Sequence, residues 1–337
     1  MKAQKASVQV AIVTELKSPD LPDSIFSVIE QLDSEHHTVD EVTVIVNRDP
    51  RQMAPAQHAA IGELLELSPR VKVGHEVRRG IPYARNKALN LWASSESEWL
   101  AFVDDDCIVE PGWLRTQLAT AKEFDADASS SMWILEPVGA PSSFLPSEIW
   151  EKRTYRNGLR EAGHGEFLRH AYTRGVVFSG CKDLVAQGLL KFDESRVTLG
   201  GSDVLFFEDF RRSGGKIVLA GGPLVKEKFR GERLTLKWHF FRKVRNIQFI
   251  VERSRRGEII ELWATPLNLV SWLLLTLVGA RAVLVRREKK RKLNLSLPSP
   301  ATIGRVAFRL AQLWGIFSLL VGRRYHSYSD SSSGNSA

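Results

Sequence analysis

The stretch WLAFVDDDCIVEPGW, residues 99–113, decides how the rest of the chain is read. An apolar run with the composition of a buried strand leads into three consecutive aspartates, Asp104, Asp105 and Asp106, followed shortly by a Pro-Gly pair. Adjacent carboxylates repel one another and are costly unless a cation sits among them. Along an extended strand Asp104 and Asp106 point one way and Asp105 the other, so the outer pair can hold one ion while the middle residue faces a different group. Oxygen-only ligation favours Mg2+ or Mn2+, which keep waters and bind a substrate's phosphates. The competing reading is a solvated acidic turn, and a position at the end of a buried strand counts against it.

Upstream, strand and helix signals alternate. VQVAIV (residues 8–13) is a short β-branched run, and DSIFSVIEQL (23–32) has helical apolar spacing behind a cap at Asp23. EVTVIVN, PAQHAAIGELLEL and RVKVGHEV follow as strand, helix and strand, and IPYARNKALNLWASS is a helix opened by Pro82. This order predicts an α/β fold with a mostly parallel sheet and helices on both faces. Ligands of such sheets bind outside the carboxyl ends of the strands. Thr14 and Glu15, Asn47 to Asp49, and Asp104 to Asp106 are therefore expected around one crevice.

The 337 residues allow one large domain and an appendage, and 43% hydrophobic with 26% charged content excludes wholesale disorder. Two cysteines, Cys107 and Cys181, make neither a metal pattern nor a disulfide framework. The beginning of the chain reads as a strand and not as a signal peptide. The net charge of +8 is concentrated: residues 281–292 carry seven Lys/Arg and one Glu, or +6, which leaves +2 elsewhere. That block directly follows WATPLNLVSWLLLTLVGA (263–280), which contains no charge. The placement points to an anionic membrane surface, on its cytoplasmic side, and away from nucleic acid.

Eighteen uncharged residues are at the lower edge of a bilayer span, so residues 263–285 read either as a span or as a helix lying on the surface. TIGRVAFRLAQLWGIFSLLVG (302–322) sets Arg305, Arg309 and Gln312 on one helical face and bulky apolar groups on the other, the pattern of an interfacial helix. A helical hairpin packed on its own domain is the alternative. The expected organisation is a catalytic domain over 1–250, membrane-associated helices with the basic block over 251–326, and a disordered tail over 327–337. Within the catalytic domain, residues 111–200 read as a helix, a strand at ADASSSMWILEP, loops around a short helix from Pro141 to His170, and a strand turning into a helix at TRGVVFSGCKDLVAQGLL.

Taken together, VDDDC, the Ala84-Arg85-Asn86 element opening a helix in GIPYARNKALNLW, and VQVAIVTELKSPDLPDSIFSVIEQ resemble a family 2 glycosyltransferase of the GT-A fold over roughly residues 7–250. The resemblance is to enzymes of bacterial polysaccharide biosynthesis. It implies a divalent metal, Mn2+ or Mg2+, on Asp104 and Asp106, and a nucleotide-sugar donor, a UDP-sugar, contacted by Thr14, Glu15, Asn47, Arg85, Asn86 and Asp105. The implied acceptor is a polyprenyl-diphosphate-linked or other glycan. Two positions depart from the family's pattern. Thr14-Glu15-Leu16 stands where Thr-Tyr-Asn is frequent, and VNRDP where an acid commonly follows the second strand.

LGGSDVLFFEDFRRSGGKI (199–217) holds three further carboxylates, Asp203, Glu208 and Asp209. Family members commonly carry Gly-Gly-Glu-Asp at a helix start with a Gly eleven residues after the Asp. Here that register selects Asp203 as general base, with Gly214 eleven residues on and Ser202 in place of the Glu. Glu208 and Asp209 lie more than a turn further along, near Arg211, Arg212 and Lys216, and read as a solvated or salt-bridged face. Asp209 is the base if the Glu-Asp pair slides into that position, and an N-cap without catalytic role is the third reading of Asp203. Arg242 and Arg245, three apart in ERLTLKWHFFRKVRNIQF, could grip a diphosphate, as Ser202 could contact diphosphate or acceptor; a basic helix on lipid headgroups is equally consistent. His164, His170 and His239 show no metal-ligand spacing. Competing functions are a catalytically silent nucleotide-sugar-binding or scaffold homologue, and a nucleotidyltransferase. The latter would want a Gly-rich basic loop where VTELKSPDLPDS stands.

Overall fold

The computed structural model describes residues 5–31, 37–151, 155–157, 160–255 and 299–325. Residues 263–285, the basic block and the tail expected to be disordered lie outside the described residues. The chain divides into two compact units. The first comprises residues up to 138, 150–197 and 201–229, and the second comprises 139–149, 198–200 and 230 onward.

The first unit is built on one eight-stranded sheet. Its strands are β1 (Ala6–Thr14), β2 (His37–Val46), β3 (Val71–His75), β4 (Trp99–Asp104), β5 (Cys107–Val109), β6 (Ala128–Pro137), β9 (Val176–Phe178) and β10 (Ile217–Phe229), in the order β3-β2-β1-β4-β9-β6-β10-β5. A two-stranded ribbon, β7 (Tyr155–Asn157) with β8 (Arg160–Ala162), stands apart from it. The run β3-β2-β1-β4 is parallel throughout, β6 and β10 are parallel to each other, and β9 and β5 are reversed. Because Thr14 pairs with Val46 and Val13 with Asp104, the carboxyl ends of β1, β2 and β4 come level on one edge.

Helices α1 (Leu21–Ile29), α2 (Pro55–Glu66), α3 (Ile81–Ala93), α4 (Trp113–Glu123), α5 (Glu148–Glu151), α6 (Lys182–Ala186) and α7 (Ser202–Arg212) follow in chain order. On one face of the sheet, Ile25 and Val28 of α1 and Trp113, Leu114 and Leu118 of α4 pack with Val42 and Val44. On the other, Ala88, Leu89 and Trp92 of α3 and Phe206, Phe207 and Phe210 of α7 surround Phe178. Phe102 stacks on Phe178 at 6.0 Å. The helix after β1 starts earlier than expected: Asp20 is its N-cap and Asp23 sits inside its first turn, because Pro22 favours the first helical positions. The stretch Gly221-Gly222-Pro223 lies within β10, where the pairing with β6 shifts register between Ala220 and Val225.

In the second unit, α8 (Leu236–Arg255) packs against α9 (Pro300–Leu320). The contact is made by small side chains. Ala311, Gly315 and Ser318 of α9 are buried, and a Cβ on Gly315 would lie 2.9 Å from the Val244 carbonyl oxygen. Gln248 Nε2 donates to Ser318 Oγ at 2.8 Å. Among the described residues no helix is long and apolar enough to cross a membrane.

Candidate active site

The acidic element ends a strand but does not continue as one. β4 stops at Asp104, and Asp105 and Asp106 form the turn into β5. Strand alternation therefore does not orient the three side chains; their partners do. Asp104 Oδ1 accepts from Arg85 Nη2 at 3.3 Å and from Thr173 Oγ1 at 3.1 Å. Asp105 Oδ2 accepts from Thr14 Oγ1 at 2.6 Å, which ties the turn to the end of β1. The Cys107 thiol lies 3.6 Å from Asp106 Oδ1, and the Asp106 carbonyl accepts from Lys228 N.

Two buried side chains, Asn47 and Arg85, tie together the elements around this strand end. Asn47, just past β2, donates through Nδ2 to the carbonyls of Glu76 and Arg78, and its Oδ1 accepts from Gly80 N at 2.7 Å. Gly80 caps α3 at φ 135, and a Cβ there would meet Val197 at 2.6 Å, so the helix can begin at this point only with glycine. One turn into α3, the buried Arg85 sends Nη2 to Asp104 and Thr173 and Nη1 to Ser202 Oγ at 3.4 Å. A single guanidinium thus connects the acidic strand end to the first residue of α7, next to Asp203. The adjacent Asn86 is turned elsewhere: its amide donates to Phe192 O and Glu194 Oε1 and accepts from Phe192 N, which fixes the 192–194 segment.

Asp203 lies in the first turn of α7, whose N-cap Gly201 is left-handed at φ 76, and it is partly exposed. Its Oδ1 accepts from Val204 N at 2.9 Å. Asp209 is exposed and bound to Arg212 Nη1 at 2.6 Å. Of the solvated or salt-bridged face expected of it, Glu208 takes the second form. It is buried, with Arg212 at 3.9 Å, because the helix turns Phe207 and Phe210 into the core on either side of it. Near the end of β1, Leu16 is left-handed at φ 58, a strained conformation for a leucine, and its N–H donates to Thr14 Oγ1 at 2.9 Å. Glu15 there lies 2.5 Å from Lys17 Nζ.

Three participants carry no sequence signal. Thr173, buried before β9, shares Asp104 and Arg85. Arg174 forms a buried ion pair with Glu227 of β10 and stacks over Trp133 at 4.3 Å and Tyr172 at 5.3 Å. Burial is the largest influence and works against the Arg174 charge, but Glu227 and the other acidic groups around it together outweigh it and the pKa is raised. Burial, reinforced by Asp106 and Glu227, pushes the Cys107 thiol well up, so it stays protonated and is no nucleophile at neutral pH. Arg242 and Arg245 belong to α8 in the second unit, where the Arg242 guanidinium lies 4.8 Å from the Trp238 ring and burial lowers the Arg245 pKa.

The donor set fits a hard divalent ion. Asp104 and Asp106 offer carboxylate oxygens only, and the Asp104 side chain is 35% exposed despite its two partners. Among the described residues no cluster of three His, Cys, Asp or Glu could hold a metal by itself. An ion here would need oxygens from water and from a bound diphosphate, as Mg2+ and Mn2+ sites commonly do.

Comparison with known proteins bears on the fold and the family. The chain is 27% identical over 248 residues to the succinoglycan biosynthesis protein ExoM of Rhizobium meliloti, covering 74% of this chain and 73% of that one. It is 22% identical over 245 residues to the glucosyl-dolichyl phosphate glucuronosyltransferase of Haloferax volcanii, covering 70% and 74%. The structure of the mannosyltransferase PcManGT from Pyrobaculum calidifontis, in complex with GDP-Man and Mn2+, superposes with a TM-score of 0.56 at 13% identity, covering 96% of this chain and 89% of that one. The fold is thus α/β and GT-A-like, a mostly parallel sheet flanked by helices. The family model described as glycosyl transferase family 2 matches residues 7–185. With more than half of its length matched, the chain belongs to glycosyl transferase family 2 and is a glycosyltransferase.

Proposed function

We propose that this enzyme moves a sugar, with inversion at C1, from a UDP-sugar to a hydroxyl of a polyprenyl-diphosphate-linked or other glycan acceptor at a membrane surface. The observation that carries this reading is the Arg85 guanidinium, which bonds to Asp104 with one nitrogen and to Ser202 with the other. It holds the acidic strand end beside the start of the helix that bears Asp203. A divalent ion on Asp104 and Asp106 would supply neutralisation of the charge that develops on the leaving diphosphate. Asp105, anchored by Thr14, and the strained turn at Leu16 form the side on which the nucleotide would rest.

Asp203 is the proposed base. It is partly exposed at a helix N-terminus and takes the proton of the acceptor hydroxyl as that oxygen attacks C1 from the face opposite the leaving group. Asp209 is committed to Arg212 and opens to solvent elsewhere on the helix. Direct displacement of this kind needs one base and no enzyme nucleophile. A lipid-linked acceptor draws support from the Haloferax relative, whose name specifies a glucosyl-dolichyl phosphate.

The test is nucleotide release from a panel of UDP-sugars and GDP-mannose, with Mn2+ or Mg2+ and solubilised membrane lipid as acceptor. Asp203→Asn is expected to lower turnover by about a hundredfold to ten-thousandfold, and Asp209→Asn by less than about twofold. Loss confined to Asp209→Asn would move the base to that residue. Metal-dependent UDP binding without release from any donor would favour the silent binding protein.

A further inference from the structure

Helix α9 is built inside out for a helix in water. Six large apolar side chains, Ile303, Val306, Leu310, Trp314, Phe317 and Val321 just beyond its end, are 38–55% exposed. Their spacing of three or four residues, at about 100° per residue, gathers them into an arc of about 80°. The buried face, centred about 100° away, consists of Gly304, Ala311, Gly315 and Ser318, all small side chains. A Cβ on Gly304 would lie 1.6 Å from the Phe144 carbonyl oxygen, so close packing there is built in. A soluble amphipathic helix turns its large apolar groups inward. Here the buried positions are small residues, Phe308, Leu313 and Ile316 are half-buried, and the six groups of the stripe remain outside.

Charge selects the occupant. Residues 300–325 contain Arg305, Arg309, Arg323 and Arg324 and no acid. Arg305 and Arg309 flank the stripe on the side away from the small-residue face and are exposed. Over residues 230–337 the sequence has 20 Lys/Arg against six Asp/Glu, a net of +14, which leaves −6 for residues 1–229. A second copy docking stripe to stripe would bring two sets of arginines together. Trp314 Nε1 donates to the Tyr325 hydroxyl at 2.8 Å, so two rings with polar tips stand at the stripe, as at membrane–water interfaces. We propose that this face of α9 docks on an anionic lipid bilayer. The helix lies along the surface, with the six apolar groups below the headgroups and Arg305 and Arg309 extended to the phosphates.

The proposal rests on the membrane part of the function proposed above, and it is tested without sugar transfer, so the two fail separately. The full chain is floated with vesicles of phosphatidylcholine alone or mixed with phosphatidylglycerol. The triple variant Val306→Ser, Leu310→Ser, Phe317→Ser is expected to lose at least about tenfold in partitioning to both. Arg305→Gln with Arg309→Gln is expected to lose roughly tenfold to thirtyfold on anionic vesicles only. Unchanged Tm and UDP binding in each variant show that the fold is kept. Undiminished flotation of the triple variant would overturn the assignment. Leu310→Cys supplies a second readout, since Cys107 and Cys181 are buried. Rapid aqueous maleimide labelling that anionic vesicles block supports the docking face. Protection without vesicles would mean that another part of the chain, such as the apolar segment 263–280, or a second copy covers the stripe, and would overturn it.

Discussion

The two units break the ordinary rule of burial in opposite directions. At the carboxyl ends of β1, β2 and β4, the first unit buries polar groups: Thr14, Asn47, Arg85, Asn86, Thr173 and Ser202 are all nearly inaccessible. In the second unit, α9 exposes apolar ones. Each buried polar group in the first set makes hydrogen bonds that fix one element against another, so the polarity is structural there and positions Asp104 and Asp203. The exposed stripe of α9 carries the Trp314–Tyr325 hydrogen bond but leaves its apolar surface open, while the buried positions of the helix are its small residues. A misplaced polarity that is fully bonded marks a scaffold for chemistry, and one left open marks a surface with a missing neighbour.

The sharpest way to break that contrast is at Arg85. Arg85→Gln removes the bond that connects Asp104 to Ser202 and leaves Asp104 with Thr173 alone among the partners described above. Turnover should fall about a hundredfold or more, since loss of positioning by a fraction of the bond's length already costs that much. Stability should fall by about 2–4 kcal/mol, because the arginine is buried even though its partner is partly exposed. A variant with wild-type turnover would show that the strand end and α7 hold their places without it. Steady-state kinetics and thermal melting together read both.

Asn47→Ala comes next. Three hydrogen bonds are lost and the Gly80 N–H loses its acceptor inside the protein, so about 2–3 kcal/mol of stability should go. The expected signature is a lower denaturation midpoint, with donor binding weakened only as far as the start of α3 loosens.

How much of this the sequence disclosed follows from the range of the interactions. The parallel half of the sheet, the position of the acidic strand end and the α9 helix are written in local patterns of period two or 3.6, and they read correctly; the directions of the three aspartates do not follow from alternation, because β4 stops at Asp104. Thr173 and Glu227 are not, because Thr173 matters through Asp104 and Arg85, 69 and 88 residues away, and Glu227 through Arg174, 53 residues away. β10 was hidden by Gly221-Gly222-Pro223, a turn signature that the sheet absorbs as a register shift. Glu208 was hidden by its charge, since a local reading sends a glutamate to solvent unless the phenylalanines beside it are known to face inward.

Within the second unit, the contrast is sharpened by exchanging sizes on α9. Gly315→Val places a side chain against the Val244 carbonyl and Ile247 and should cost about 1–3 kcal/mol through overpacking. Leu310→Ser, one turn away on the exposed face, should change stability by no more than about 0.5 kcal/mol. Equal losses would mean that the stripe is packed against something within the chain. Chemical denaturation of the two variants decides it.

The smallest effect concerns His239 on α8, whose pKa is lowered to about 4, mainly by burial and then by the charge of Arg242. In the unfolded chain this ring takes up its proton near pH 6.5, well before it does so in the folded one. Between those values the unfolded state binds more protons, so stability is full above about pH 6.5, declines as pH falls towards 4, and changes no further below that on this account. The ring is only half-buried, and solvent screening reduces the loss to about 1 kcal/mol. Thermal melts from pH 7 to pH 4 should therefore show a component that disappears in His239→Gln. The same ring in a water-exposed position would have kept its ordinary pKa. A flat difference between wild type and variant would thus place His239 with the open face of this unit and not with its packed one.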